Sequence, residues 1–108
     1  MTQAIQVITT VETRDEADGI AQALVERRLA ACVQVLGPVT STFHWQGRVD
    51  VSQEWLCIAK TLERHFAEIE RTIRELHSYD VPEILAVPVS QASGPYLQWL
   101  EKEVEADS

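Results

Sequence analysis

The chain has 108 residues, enough for one domain, and its 45% hydrophobic and 24% charged side chains give a globular rather than a disordered balance. Seventeen acidic against nine basic side chains leave a formal charge of −8, which repels a phosphate backbone, and the densest basic pair is only Arg27–Arg28. No apolar run approaches the ~20 residues that cross a bilayer, so neither nucleic acid nor membrane is expected as a partner. The opening Met-Thr-Gln-Ala has neither the basic region nor the cleavage site of a secretory signal. The expected compartment is therefore the cytoplasm, with Cys32 and Cys57 as reduced thiols.

Ile5 to Val11 is a β-branched run and reads as a strand. Thr13 and Glu16 have capping-box spacing, and Ala17, Ile20, Ala21, Leu24 and Leu29 fall on one helical face, which predicts a helix over 14–29. Its acidic start and basic end suit the macrodipole. Ala31 to Trp45 and Arg48 to Thr61 are two long strand-like runs joined by Gln46-Gly47, a two-residue turn in which glycine takes positive φ. Straight arms of that length span about 45–50 Å. A domain of this size has a radius of gyration of only ~13 Å, so the hairpin overhangs its own core. Gly37-Pro38 is expected to bulge one arm, and Ser52-Gln53 is the matching candidate in the other. The overhang carries Val39, Phe43, Trp45, Val49, Val51 and Trp55, a hazard if bare and an interface if covered. A closed ring of copies removes the free edge.

Thr61 is the candidate cap of a second helix through Leu62, Phe66, Ile69, Ile73 and Leu76, ending near His77-Ser78-Tyr79. Pro82 opens an extended run over Glu83–Val87, which Pro88 confines to an edge or an end of a ladder. Ser93 caps a last helix with Tyr96, Leu97, Leu100 and Val104 on its apolar face, and a solvated tail, Glu105 to Ser108, follows. The order is β-α-β-β-α-β with an extra C-terminal helix across a single domain, residues 1–108. This is the α+β, ferredoxin-like arrangement with a four-stranded antiparallel sheet. Right-handed crossovers place both main helices on one face and leave the other bare, a second reason to expect assembly.

Cys32 and Cys57 lie too far apart in sequence for a Cys-x-x-Cys metal pair. The hairpin register implied by Gln46-Gly47 sets Cys57 opposite Leu36, roughly 13 Å from Cys32, beyond disulfide reach. Structural thiols are the plainer reading of both. His44 and His65 read as surface side chains. His77 stands where the second helix ends, beside Tyr79, Asp80 and Glu83, where imidazole and carboxylate can meet a divalent transition metal. The plainer reading of His77 is a helix C-terminal cap. Lys60 closes an apolar strand, either to neutralise an anion or to reach water. No nucleophile–base order, phosphate loop or zinc-protease motif is recognisable, so no enzyme is expected.

The segments Arg28-Leu29-Ala30-Ala31-Cys32-Val33, Gly37-Pro38-Val39-Thr40-Ser41 and Trp45-Gln46-Gly47-Arg48 form a first signature. Lys60-Thr61 with His77-Ser78-Tyr79-Asp80-Val81-Pro82-Glu83-Ile84 form a second, and Tyr96-Leu97-Gln98-Trp99-Leu100 a third. Together they resemble the CutA family of divalent-ion (copper) tolerance proteins, over about residues 5 to 104. The resemblance implies a homotrimer built by the long hairpins, an architecture like that of PII signalling proteins, and divalent metal binding in some members, Cu(II) foremost. It also implies that Cys32, Lys60, His77, Tyr79, Pro82, Glu83 and Trp99 gather at a cleft between subunits. There His77 and Glu83 are the metal ligands, Lys60 an anion contact, Pro82 a shaper of the loop and Trp99 mainly packing. Two positions depart from some bacterial relatives: Thr9 or Thr10 stands where they place a cysteine, and Leu76 where they carry a second histidine. The alternative function is a PII-like signalling or adaptor trimer that binds a small anionic metabolite near Lys60. A scaffold whose trimer is itself the product is a third.

Overall fold

The computed structural model describes residues 2–105. Element order is β1 (Ala4–Val11), α1 (Arg14–Glu26), β2 (Cys32–Trp45), β3 (Arg48–Leu62), a 3-10 turn (Glu63–His65), α2 (Phe66–Leu76), β4 (Leu85–Pro88) and α3 (Gly94–Glu103). The four strands form one antiparallel sheet in the order β2-β3-β1-β4, as the ferredoxin-like reading requires. Among the described residues no helix is long and apolar enough to cross a membrane.

Alternation along the strands decides which face is covered. Val7, Val11, Cys57 and Ala59 point to one side and meet Ile20 and Leu24 of α1 and Ile69 and Ile73 of α2. Full burial of side chains of this kind contributes ~1.5–3 kcal/mol apiece. On the opposite face Leu36, Leu85 and Val87 are 54%, 52% and 41% exposed and Ile8, Leu56 and Ile58 half-buried, and α3 reaches only one end of it. At the end of the sheet where β1 begins, α3 packs Leu100 and Val104 against Ala4 and Leu62.

The hairpin overhangs as its length demands: the molecule measures 46 × 26 × 21 Å, with a radius of gyration of 14.5 Å. Gln46 and Gly47 take φ of 48° and 78°, the left-handed pair of a tight hairpin turn. The register slips between Leu36 and Val39, so the bulge lies in β2 at Gly37-Pro38, a cis peptide. Ser52 and Gln53 stay in the regular ladder opposite Ser41 and Thr40, so the second arm carries no bulge. The slip also places Cys57 opposite Val35 rather than Leu36, and sets Cys32 opposite Lys60.

Thr13 caps α1 as expected, its hydroxyl accepting the Glu16 N–H at 3.2 Å. The helix ends at Glu26, before the expected residue 29, because Arg28 turns into the left-handed region at φ 57°. Its last turn therefore carries no basic residue. The Arg28 guanidinium instead reaches the Glu103 carbonyl at 2.9 Å and its carboxylate at 3.3 Å, tying α1 to α3. Thr61 is not a helix cap. It is buried in β3, where its hydroxyl donates to the Leu29 carbonyl at 2.5 Å, and α2 starts after the 3-10 turn. Strand β4 is shifted towards Leu85–Pro88, and Pro88, with no N–H to give, sits at the end of an edge strand. Ser93 caps α3, accepting from the Tyr96 N–H at 3.4 Å. Glu105 is exposed, and the rest of the expected tail lies outside the described residues.

Two substitutions test this packing. A Cβ on Gly37 stands 2.8 Å from Trp55 Cε3 and 3.1 Å from the Glu54 carbonyl oxygen. Gly37→Ala should therefore cost ~1–3 kcal/mol, read from the urea midpoint. Thr9 is 1% exposed and its hydroxyl has no partner. Thr9→Val should keep the shape and raise stability by up to ~1 kcal/mol in the same assay.

Candidate functional site

The segment between α2 and β4 crosses the sheet where β1 stops. Val11 is the last residue of β1 and pairs with Trp55, so the next residue of β3 towards the turn, Glu54, has no β1 neighbour. Tyr79 fills that place, its hydroxyl donating to Glu54 Oε2 at 2.8 Å, and Glu54 is only 7% exposed. Burial first, then the Glu54 hydrogen bond, then the carboxylates of Glu54, Glu12 and Glu16 raise the Tyr79 phenol well above its ordinary range, so it stays a donor.

His77 follows directly on α2, with its ring 4.8 Å from that of Tyr79 and tilted by 49°. Its Nδ1 accepts the Tyr79 backbone N–H at 3.1 Å, and its Nε2 lies 2.8 Å from the Thr10 carbonyl oxygen. Between them, the Ser78 hydroxyl meets both Glu16 carboxylate oxygens at 3.0 and 3.1 Å. Pro82 is half-buried and Glu83 exposed further along the same loop.

The remaining expected residues lie elsewhere on the bare face. Lys60 is half-buried in a row between Cys32 on β2 and Gln6 on β1. Gln6 stands four residues along β1 from Thr10, a separation of roughly 13 Å. Trp99, 43% exposed on α3, stacks on Tyr96 at 5.6 Å. Burial, and after it the neighbouring Cys32, push the Tyr96 phenol up. One chain thus brings His77 to Tyr79 and Cys32 to Lys60, and it does not bring the two pairs together. Glu54 was not among the candidates. Its signal is an acidic side chain on the same strand face as Leu56 and Ile58, a position where a charge needs a donor.

A divalent ion at His77 meets a difficulty in this geometry, because both ring nitrogens are already engaged. Among the described residues, moreover, no group of three or more His, Cys, Asp or Glu side chains converges on one point. The side chains of a single chain therefore do not fit a resident divalent ion. Nor does His65 or His77 bond to a hydroxyl or thiol side chain: His65 Nε2 is 2.8 Å from the Val104 carbonyl oxygen.

Tyr79→Phe should lower stability by ~1.5–3 kcal/mol in urea, since it leaves the Glu54 carboxylate buried without its donor. Cys57 supplies a pH test. Burial, with help from Asp18, raises its thiol to about 11, against 9.0 unperturbed. The unfolded chain releases that proton first, so stability is intact below pH ~9 and falls as pH climbs towards 11. Urea midpoints measured across that window should show a shallower decline in Cys57→Ala.

The comparisons with known proteins converge. Residues 5–103 match the family described as CutA1 divalent ion tolerance protein. The divalent-cation tolerance protein CutA of Thermus thermophilus is 43% identical over 96 residues, covering 89% of this chain and 93% of that one. A crystal structure of CutA from Xylella fastidiosa superposes with a TM-score of 0.93 at 34% identity, covering 96% of this chain and all of the other. A structure of the periplasmic divalent cation tolerance protein CutA from Archaeoglobus fulgidus gives 0.92 at 34% identity, over 94% and 99% of the two chains. With a family match over nearly its whole length and relatives well above 30% identity, this chain belongs to the CutA1 divalent ion tolerance family.

Proposed function

We propose that this single domain works in divalent-cation tolerance as a homotrimer without catalytic activity, and that a divalent ion is met at clefts between subunits through Glu83. The observation that carries the reading is apolar surface with no cover in its own chain. Beyond the sheet, the two-stranded ribbon exposes apolar side chains on both of its faces, with Trp45 58%, Val49 67% and Val51 56% exposed. An isolated two-stranded hairpin is at best marginally stable in water, so this one needs a neighbour along its length. A closed ring of copies supplies it and leaves no edge to propagate.

Because one chain offers few converging donors, the second subunit has to complete any ion contact. Cu(II) is the ion proposed, on the resemblance to the copper-tolerance family and because it heads the divalent affinity order for a given donor set. Cys32 and Cys57, both unpaired, suit a reducing cytoplasm.

Native mass spectrometry of metal-free protein, followed by stepwise Cu(II), tests both parts. A trimer that takes up to one ion per subunit, and loses that uptake in Glu83→Gln, is the expected result. A monomer overturns the assembly. A trimer whose uptake is the same in Glu83→Gln overturns the ion contact.

A further inference from the structure

We propose that His77 is a tautomer-locked latch that fixes the loop 77–84 to the end of β1, and that divalent ions meet this protein without its imidazole. The latch rests on hydrogen bonds within one chain, so it holds whatever number of copies assemble.

The lock follows from what each partner can do. A backbone N–H only donates and a carbonyl only accepts. The Tyr79 N–H at 3.1 Å therefore fixes Nδ1 as the bare nitrogen, and the Thr10 carbonyl at 2.8 Å fixes the proton on Nε2. The ring is the neutral Nε2–H tautomer with both nitrogens used, and metal coordination needs a free lone pair. Binding through Nδ1 means releasing the Tyr79 N–H. Binding through Nε2 means moving that proton and turning the ring away from β1. Either movement leaves a half-buried backbone group without a partner.

The neighbouring residues make the release cooperative. His77 ties to β1 through Thr10, Ser78 to α1 through Glu16, and Tyr79 to β3 through Glu54. Three successive residues thus hold three different elements. The ring of His77 packs on that of Tyr79, so freeing the imidazole also disturbs the Tyr79–Glu54 bond. The latch sets where the loop leaves α2, and with it the exposed Glu83 on the approach to β4.

The test joins tautomer, stability and metal uptake in the full-length protein. In long-range proton–nitrogen NMR spectra of 15N-labelled protein, His77 should show the Nε2–H pattern and keep it as Zn(II) is added. His77→Ala should lower Tm by ~5–10 °C. His77→Asn keeps an acceptor near Nδ1 and His77→Gln a donor near Nε2, so each should recover part of that loss. In native mass spectra both of these variants should take up Zn(II) as the unaltered chain does. Movement of the His77 nitrogen signals with Zn(II), loss of uptake in His77→Asn and His77→Gln alike, or an unchanged Tm in His77→Ala would each overturn the latch. If the unaltered chain takes up no Zn(II) and His77 keeps its pattern, the latch is supported, and the Glu83 reading stands or falls separately on the Cu(II) uptake of Glu83→Gln.

Discussion

Strand β3 has 15 residues and its central partner β1 only 8, and the rest of the structure is arranged around that mismatch. Where β1 runs alongside, β3 is an interior strand with Cys57 and Ala59 buried under two helices. Past Val11 the inner side of β3 opens. Tyr79 takes up the first vacancy, beside Glu54. Beyond it the hairpin continues as a ribbon paired only to itself, as far as the Gln46-Gly47 turn. Loop anchor and overhang are therefore two answers to one short strand.

The bulge sits at the same boundary. Gly37 lies directly against Trp55, whose ring is also covered by the Arg14 guanidinium at 5.5 Å. A bulge bends and twists the strand that carries it. Here it marks the change from a ladder backed by helices to one that is not. The residues expected to share a cleft fall into two groups on the bare face, one around Lys60 and one around His77.

Much of this architecture is legible in the residues because the signals are local. Thr13 announces α1, Gln46-Gly47 the turn, Gly37-Pro38 the bulge, and the length of the two arms the overhang. The misses come where tertiary context outweighs local preference. Arg28 takes a left-handed conformation usually left to glycine, and the backbone bonds that close α1, from the Arg28 N–H to the Val25 carbonyl and from the Leu29 N–H to the Leu24 carbonyl, hold it there. Thr61 has the chemistry of a cap, yet β1 pairing draws it into the sheet opposite Ile5. At the site, sequence spacing marks His77 and Tyr79 as neighbours. It does not reveal that Thr10 and Glu54, remote in the chain, complete their hydrogen bonds. The composition of a ligand set is visible in a sequence, but whether its lone pairs are free is not.

The packing of α3 gives the molecule a mechanical polarity. Ala4 and Leu62 share a cluster with Leu100 and Val104, and the Thr2 hydroxyl bonds to the Val89 carbonyl. Both ends of the described chain are thus gathered at the end of β3 remote from the hairpin turn. Peptides or whole domains grafted onto either end would hang from that pole, clear of the ribbon and of the loop after α2. A fold built this way is a natural display scaffold: cargo is carried at one pole, away from the exposed apolar ribbon at the other.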